Sequence, residues 1–289
     1  TSPNNRSSKN RSNNKKQQRL KLNPIFIDLC PPPDTKLGYR VNKSNGAGDE
    51  LLLKALGIKK MIAEKKSCDS NSQLVIYDLT AGMARDSLII ASSVLENARL
   101  ESSSGHDTTP VRLHMVERNS IVAALLLDAM RRLDLLSATT HHDKNDVARQ
   151  LNQCLSLEEG DALSILRRLV STSTVSSSVI DATEVPYPPD IIYLDPMFPP
   201  RKKNASVKKD MAMLHALLGC DDVSDSENER LIEEQELLLA AVSSATRRVV
   251  VKRPIGAQPL GWPSETVDVP KPSHDVRGSV NRFDVYLIS

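Results

Sequence analysis

No apolar run in this 289-residue chain reaches the roughly 18 residues needed to cross a bilayer, so the sequence reads as a soluble protein. Cysteine is sparse. Cys30, Cys68, Cys154 and Cys220 lie far apart with no paired spacing, which argues against a zinc site or a disulfide framework and for a reduced compartment. Acids are missing from the first 25 residues, which carry Arg6, Lys9, Arg11, Lys15, Lys16, Arg19 and Lys21. That block also lacks hydrophobic periodicity, so it cannot bury enough apolar surface to offset its ordering entropy. It reads as a disordered basic tail over residues 1–23. Its roles would be an RNA-contacting arm, the remnant of an organelle-targeting segment, or a solvated linker. The first residue is Thr1 and not Met, which leaves open whether residues precede it.

What is present is an alternation of short apolar runs with helical stretches from residue 74 onward, the pattern of a mostly parallel α/β sheet. Strands are expected at Leu74–Tyr77, Val111–Val116, Leu155–Leu157, Ile191–Leu194 and Val249–Val251. Two later runs, Thr266–Val269 and Phe283–Ile288, alternate polar and apolar residues and would close the sheet as an antiparallel pair. Asn119 and Asp161 stand where helix caps belong. A small N-terminal element over 24–66 has a strand-like "IFID" and a glycine turn opening a helix, ahead of a main domain over 67–289. The polar stretches "SSSGHDTTP", "STSTVSSS" and "DDVSDSENE" read as surface insertions. His141, His142 and Asp143 lack a third ligand at a plausible spacing and read as loop residues, so no metal is expected.

Ligands of open parallel sheets bind beyond the carboxyl ends of the strands. Asp78, Glu117, Asp161 and Asp195 all fall at or just past such ends. The turn "DLTAGMARD" is not the dinucleotide G-x-G-x-x-G, yet its small residues Ala81, Gly82 and Ala84 allow a close approach to backbone and to a helix N-terminus. Glu117 suits a grip on ribose hydroxyls. A nucleoside-bearing cofactor follows, with NAD and S-adenosylmethionine both open on these residues.

The stretch "DIIYLDPMFPPRKKNASVKKD", residues 190–210, separates the two. An exocyclic amine on a nucleobase needs acceptors that orient its lone pair toward an electrophilic methyl group. A carboxylate and a backbone carbonyl at the rigid Asp195-Pro196 turn supply them. Phe198 offers a face on which the base stacks. Arg201, Lys202, Lys203, Lys208 and Lys209 then meet phosphates. Lys252 and Arg253, at the end of the fifth strand, read equally as a solvated strand end or as further phosphate contacts.

The blocks "DLTAGMARD", "MVERNSIVAALLLDAM", "YLDPMFPPRKKNASVKKDM", "RRVVVKRP" and "NRFDVY" together resemble the bacterial RsmJ-type family, which methylates guanine N2 in small-subunit rRNA. The likeness runs collinearly over about residues 74–289. It implies a Rossmann-like class I methyltransferase sheet with a small N-terminal extension, S-adenosylmethionine as cofactor, and small-subunit rRNA or the small ribosomal subunit as partner. It also implies a cofactor site lined by Arg85, Asp86, Glu117, Arg118, Asp161, Ala162 and Asp195. Ala84 stands where the family usually carries glycine. The resemblance implies a cytoplasmic location, while the basic tail and polar insertions admit a plastid or mitochondrion. The Asp-Pro turn by itself also fits methylation of adenine N6, cytosine N4 or protein glutamine, and a non-catalytic RNA-binding assembly factor is the alternative of another class.

Overall fold

The computed structural model describes residues 25–42, 47–68, 73–101, 111–139, 147–174, 188–196, 227–263 and 267–288. Its sheet has seven strands: β1 (Leu74–Asp78), β2 (Val111–Glu117), β3 (Leu155–Glu159), β4 (Ile191–Leu194), β5 (Arg248–Pro254), β6 (His274–Arg277) and β7 (Asn281–Leu287). They lie in the order β3-β2-β1-β4-β5-β7-β6. The first five are parallel, and β7 runs antiparallel to both β5 and β6. Every residue of β1 and β4 is buried, as a parallel strand covered on both faces requires.

Alternate residues of each strand enter different cores. Ile76, Leu113, Tyr193 and Val250 face one cluster. It is shared with helices α1 (Lys36–Asn42), α2 (Ala47–Leu56), α3 (Ile58–Cys68), α4 (Arg85–Glu101), α5 (Ser120–Thr139) and α6 (Val147–Cys154). Val75, Tyr77, Val116, Ile192 and Val251 face the other, with α7 (Ala162–Thr174) and α8 (Glu227–Ser244). Both expected caps form. The Asn119 carboxamide oxygen accepts from the Ile121 and Val122 N–H groups at 3.0 and 3.2 Å, and Asp161 Oδ1 accepts from Ser164 N at 2.9 Å.

The N-terminal helices pack onto the same core and are tied to the amino-terminal edge of the sheet. Lys65 Nζ lies 2.8 Å from Asp190 Oδ2, and Arg247 Nη1 lies 2.5 Å from Glu64 Oε2. Between α2 and α3 the chain turns at Gly57, with φ of 65°. The Arg248 guanidinium donates to Ala55 O there at 2.7 Å and fills the space a Cβ on Gly57 would need.

Three elements differ from the sequence reading. "IFID" is not a strand; Ile27 and Leu29 are buried while Phe26 is 59% exposed beside the Arg132 guanidinium, so packing of an irregular segment produced the alternation. The edge strand β6 lies at His274–Arg277; of the expected run Thr266–Val269 the described residues 267–269 form no strand, and Val269 is buried without joining the ladder. Helix α6, which the sequence reading passed over, buries Ala148, Leu151 and Cys154 at helical spacing. The polar insertions fall mostly outside the described residues, although "STSTVSSS" begins within α7 and "DDVSDSENE" ends within α8. His141, His142 and Asp143 lie outside them too. No described helix is long and apolar enough to cross a membrane, and no group of three or more His, Cys, Asp or Glu among the described residues is placed to hold a metal.

Candidate active site

The turn after β1 is the floor of the site. Gly82 and Ala84 both adopt left-handed backbone, with φ of 51° and 52°. Glycine takes this without strain and alanine does not, which gives the glycine common at position 84 in the resembling family a physical reason. Among the described residues, a Cβ on Gly82 would meet one atom within 4 Å, Thr80 O at 3.8 Å, so they leave an open cradle beside that Cα. Asp78, expected to touch the cofactor, instead lies beneath the turn and is 1% exposed. Its Oδ1 accepts from Thr80 N at 3.1 Å, and its Oδ2 accepts a short bond from Ser87 Oγ. Burial pushes its carboxyl up to about 7 against the pull of those two donors. Asp78 therefore braces the turn and does not line the surface.

The end of β4 is pinned to that turn. Leu79 N donates to Tyr193 O at 3.1 Å, and Asp195 N donates to Thr80 Oγ at 2.6 Å. Tyr193 and Asp195, two apart, share the face covered by α4. The buried Tyr193 hydroxyl donates to Asp86 Oδ2 at 2.6 Å. Burial, together with the Asp86 and Asp195 carboxylates, holds the phenol well above its ordinary range and keeps it a donor.

Lys252 completes the cluster. Leu194 pairs with Val251 across β4 and β5, so Lys252 lies laterally beside Asp195. Its Nζ is 2.8 Å from Asp86 Oδ2 and 2.8 Å from Asp195 Oδ2. Burial alone would push this ammonium down, but the two carboxylates outweigh it and hold Lys252 above its usual value. Asp195 shows the reverse balance. Burial raises its carboxyl, Lys252 pulls it back, and Asp86 adds to the rise.

This geometry corrects the phosphate reading of Lys252, whose side chain is 22% exposed and engaged by two carboxylates. Arg253 points to the opposite face. It is 6% exposed, donates from Nε to Gln258 O at 2.9 Å and lies 3.7 Å from Glu234. Neither cation is presented to an RNA backbone.

The rim comes from the ends of β2 and β3. Glu117 Oε2 accepts from Gly82 N at 2.9 Å and Oε1 from Asn119 N at 2.8 Å, while Glu117 O accepts from Gly160 N at 3.0 Å. These bonds bring Glu117, Gly82 and the Asp161-Ala162 turn together. Arg85, Arg118 and Asp161 are exposed there, and Ala162 is half-buried. Pro196 is half-buried at the β4 end. Met197, Phe198, Arg201, Lys202, Lys203, Lys208 and Lys209 lie outside the described residues. Sequence reasoning missed Tyr193 and Thr80 as supports for the site. The signal for Lys252 was a lysine closing the apolar run "VVVKRP" at a strand's carboxyl end.

Comparison with known proteins bears on the family and the fold. The ribosomal RNA small subunit methyltransferase J of Pseudoalteromonas atlantica is 33% identical over 246 residues, covering 84% of this chain and 75% of that protein. The chain belongs to the small-subunit rRNA methyltransferase J family. The corresponding protein of Tolumonas auensis is 30% identical over 275 residues, covering 95% of this chain and 82% of its own length. Residues 107–288 match the family model described as "Putative SAM-dependent methyltransferase". A solved SAM-dependent methyltransferase from Neisseria gonorrhoeae is 26% identical, with a TM-score of 0.53, covering 93% of this chain and 76% of that one. The sheet is accordingly that of a Rossmann-like class I methyltransferase, and the cofactor of the family is S-adenosylmethionine.

The residues fit that cofactor. Among the described residues, the cradle beside Gly82 is open. The Glu117 carboxylate, already accepting two N–H groups, keeps further lone pairs for ribose hydroxyls.

Proposed function

We propose that this protein transfers the methyl group of S-adenosylmethionine to the exocyclic N2 amine of a guanine in small-subunit rRNA. The observation that carries the reading is Asp195 at the carboxyl end of β4. Its backbone is fixed by Thr80 and its Oδ2 by Lys252, while Oδ1 meets no donor among the described residues. Guanine N2 is favoured by the collinear likeness of "DPMFPPRKKNASVKKDM" and "VVVKRP" to the RsmJ-type blocks. Small-subunit RNA is favoured by the names of the relatives.

When bound, S-adenosylmethionine supplies an electrophilic methyl group and departs as S-adenosylhomocysteine. Asp195 Oδ1 and the carbonyl of the Asp195-Pro196 turn accept the two amine N–H groups, which aims the nitrogen lone pair. As the N–C bond forms and the methyl's C–S bond breaks onto sulfur, one N–H proton passes to Asp195 Oδ1 and then to solvent. Phe198 stacks the extruded base. Arg201, Lys202, Lys203, Lys208 and Lys209 hold the flanking phosphates. Glu117 holds the cofactor ribose, with Arg85, Arg118, Asp161 and Ala162 on the rim around it. The bacterial relatives favour work in a bacterial-type cytoplasm, and the acid-free basic tail favours a plastid or mitochondrion for a form that carries a targeting segment.

Incubation with labelled S-adenosylmethionine and unmodified small-subunit rRNA, followed by digestion and mass spectrometry of the nucleosides, tests this. The expected product is N2-methylguanosine. Methylated adenosine or cytidine would overturn the substrate but keep the chemistry, and no methylated nucleoside would overturn the RNA reading.

A further inference from the structure

We infer that Lys252 is a positioning residue for methyl transfer: it holds Asp86 and Asp195 on one ammonium, turning Asp195 Oδ2 inward and leaving Oδ1 for the amine. The inference rests on the reading of Asp195 as amine acceptor, and goes beyond it by assigning what keeps that acceptor in place.

The geometry is specific. Lys252 reaches both carboxylates at 2.8 Å, each through an Oδ2 atom. Asp86 Oδ2 carries the Tyr193 hydroxyl as well, so Tyr193, Asp86, Lys252 and Asp195 form one chain of contacts across α4, β4 and β5. The charged groups facing Lys252 are Asp86 from α4 and Asp195 from the end of β4, with the Tyr193 hydroxyl bonded to Asp86 and the buried Asp78 behind the two carboxylates. Two carboxylates thus meet on one ammonium. Without it, Asp86 and Asp195 would repel each other in a half-buried site, where water screens charge poorly. A carboxylate freed from its neighbour would sample other rotamers, and the amine would lose its fixed acceptor.

Two other roles fit less well. A phosphate bound at Lys252 would sit beside two carboxylates and be repelled by both. A plain strut between α4 and the sheet would give the same distances, but it predicts no link between Lys252 and the ionisation of Asp195. The positioning role predicts such a link, with a sign. Lys252 lowers the Asp195 carboxyl and Asp86 raises it. Removing the ammonium must therefore move Asp195 up, and removing the Asp86 charge must move it down.

The test uses the full chain with Lys252→Met, Lys252→Arg and Asp86→Asn. The first readout is the carbon-13 NMR titration of the Asp195 carboxyl in cofactor-free protein, which needs no substrate. It should move to higher pH in Lys252→Met, to lower pH in Asp86→Asn, and stay close to wild type in Lys252→Arg. The second readout is kcat against pH at saturating S-adenosylmethionine and unmodified small-subunit rRNA. The acid limb should move in the same two opposite directions, kcat at pH 7 should fall by roughly tenfold or more in Lys252→Met, and Lys252→Arg should restore most of it. Unchanged titrations and acid limbs in both charge-removing variants would overturn the assignment, even if Lys252→Met loses activity through instability, because Asp86→Asn still reports. Titrations that shift as described, in a wild type that methylates no RNA, would instead overturn the proposed function and the catalytic meaning of the cluster.

Discussion

Replacing Asp78 with Asn should make the protein's stability less sensitive to pH between 5 and 8. Asp78 is sealed beneath the β1 turn, and burial raises its carboxyl from 3.8 to about 7. A folded-state value above the unfolded one means the native state holds a proton that the unfolded chain has released. The stability linked to that proton is fully present below pH 3.8 and is lost as pH rises through about 7. Integrating the one-proton difference from pH 5 to pH 8 gives a loss of roughly 2–3 kcal/mol in the wild type. Asn removes the titration and keeps the local bonding, since its oxygen accepts from Thr80 N and its amide donates to Ser87 Oγ. Other titrating groups are common to both proteins and cancel in the difference. Thermal unfolding at pH 5, 6, 7 and 8 should show the variant gaining on wild type by roughly 5 °C across the range. A melting-temperature difference that stays flat from pH 5 to pH 8 would refute the claim that Asp78 is a buried, protonated brace.

Glu117→Gln should weaken S-adenosylmethionine binding by roughly 1–3 kcal/mol in calorimetry, because the charged acceptor for ribose is lost and one amide oxygen cannot satisfy both Gly82 N and Asn119 N; unchanged affinity would remove Glu117 from the cofactor site. Replacing Lys202, Lys203, Lys208 and Lys209 with Ala should weaken RNA binding and flatten its salt dependence, by about 0.7–0.9 in log–log slope for each phosphate that is no longer neutralised. Cofactor affinity should be untouched, and an unaltered salt slope would make the run a solvated face.

The strand ends were legible because β1, β4 and β5 carry apolar runs stopped by charge, and a parallel sheet buried on both faces demands that pattern. The caps Asn119 and Asp161 were legible because a cap is a local bond to residues two or three along the chain. Asp78 was misread because a carboxylate at a strand end looks the same in sequence whether it faces the ligand or the core; Ser87, its partner, is nine residues away. Lys252 was misread for a related reason, since its meaning depends on the register of β5 against β4 and on Asp86 from a helix 166 residues earlier. The edge strand β6, "HDVR", presents mostly charge outward. The neighbouring "VDV" alternates better but serves to bury Val269 in a loop. Pairing partners decide such cases, and an isolated window of sequence does not contain them.

The central claim is that Asp195 orients the amine for methyl transfer. Its most direct test is the single-turnover rate of Asp195→Ala on small-subunit rRNA at saturating S-adenosylmethionine, measured beside its cofactor affinity and melting temperature. The account predicts a rate lower by on the order of 100-fold or more, with the fold retained and any loss of cofactor affinity offset by the saturating S-adenosylmethionine. A rate within a few-fold of wild type would contradict it and leave Asp195 a turn residue.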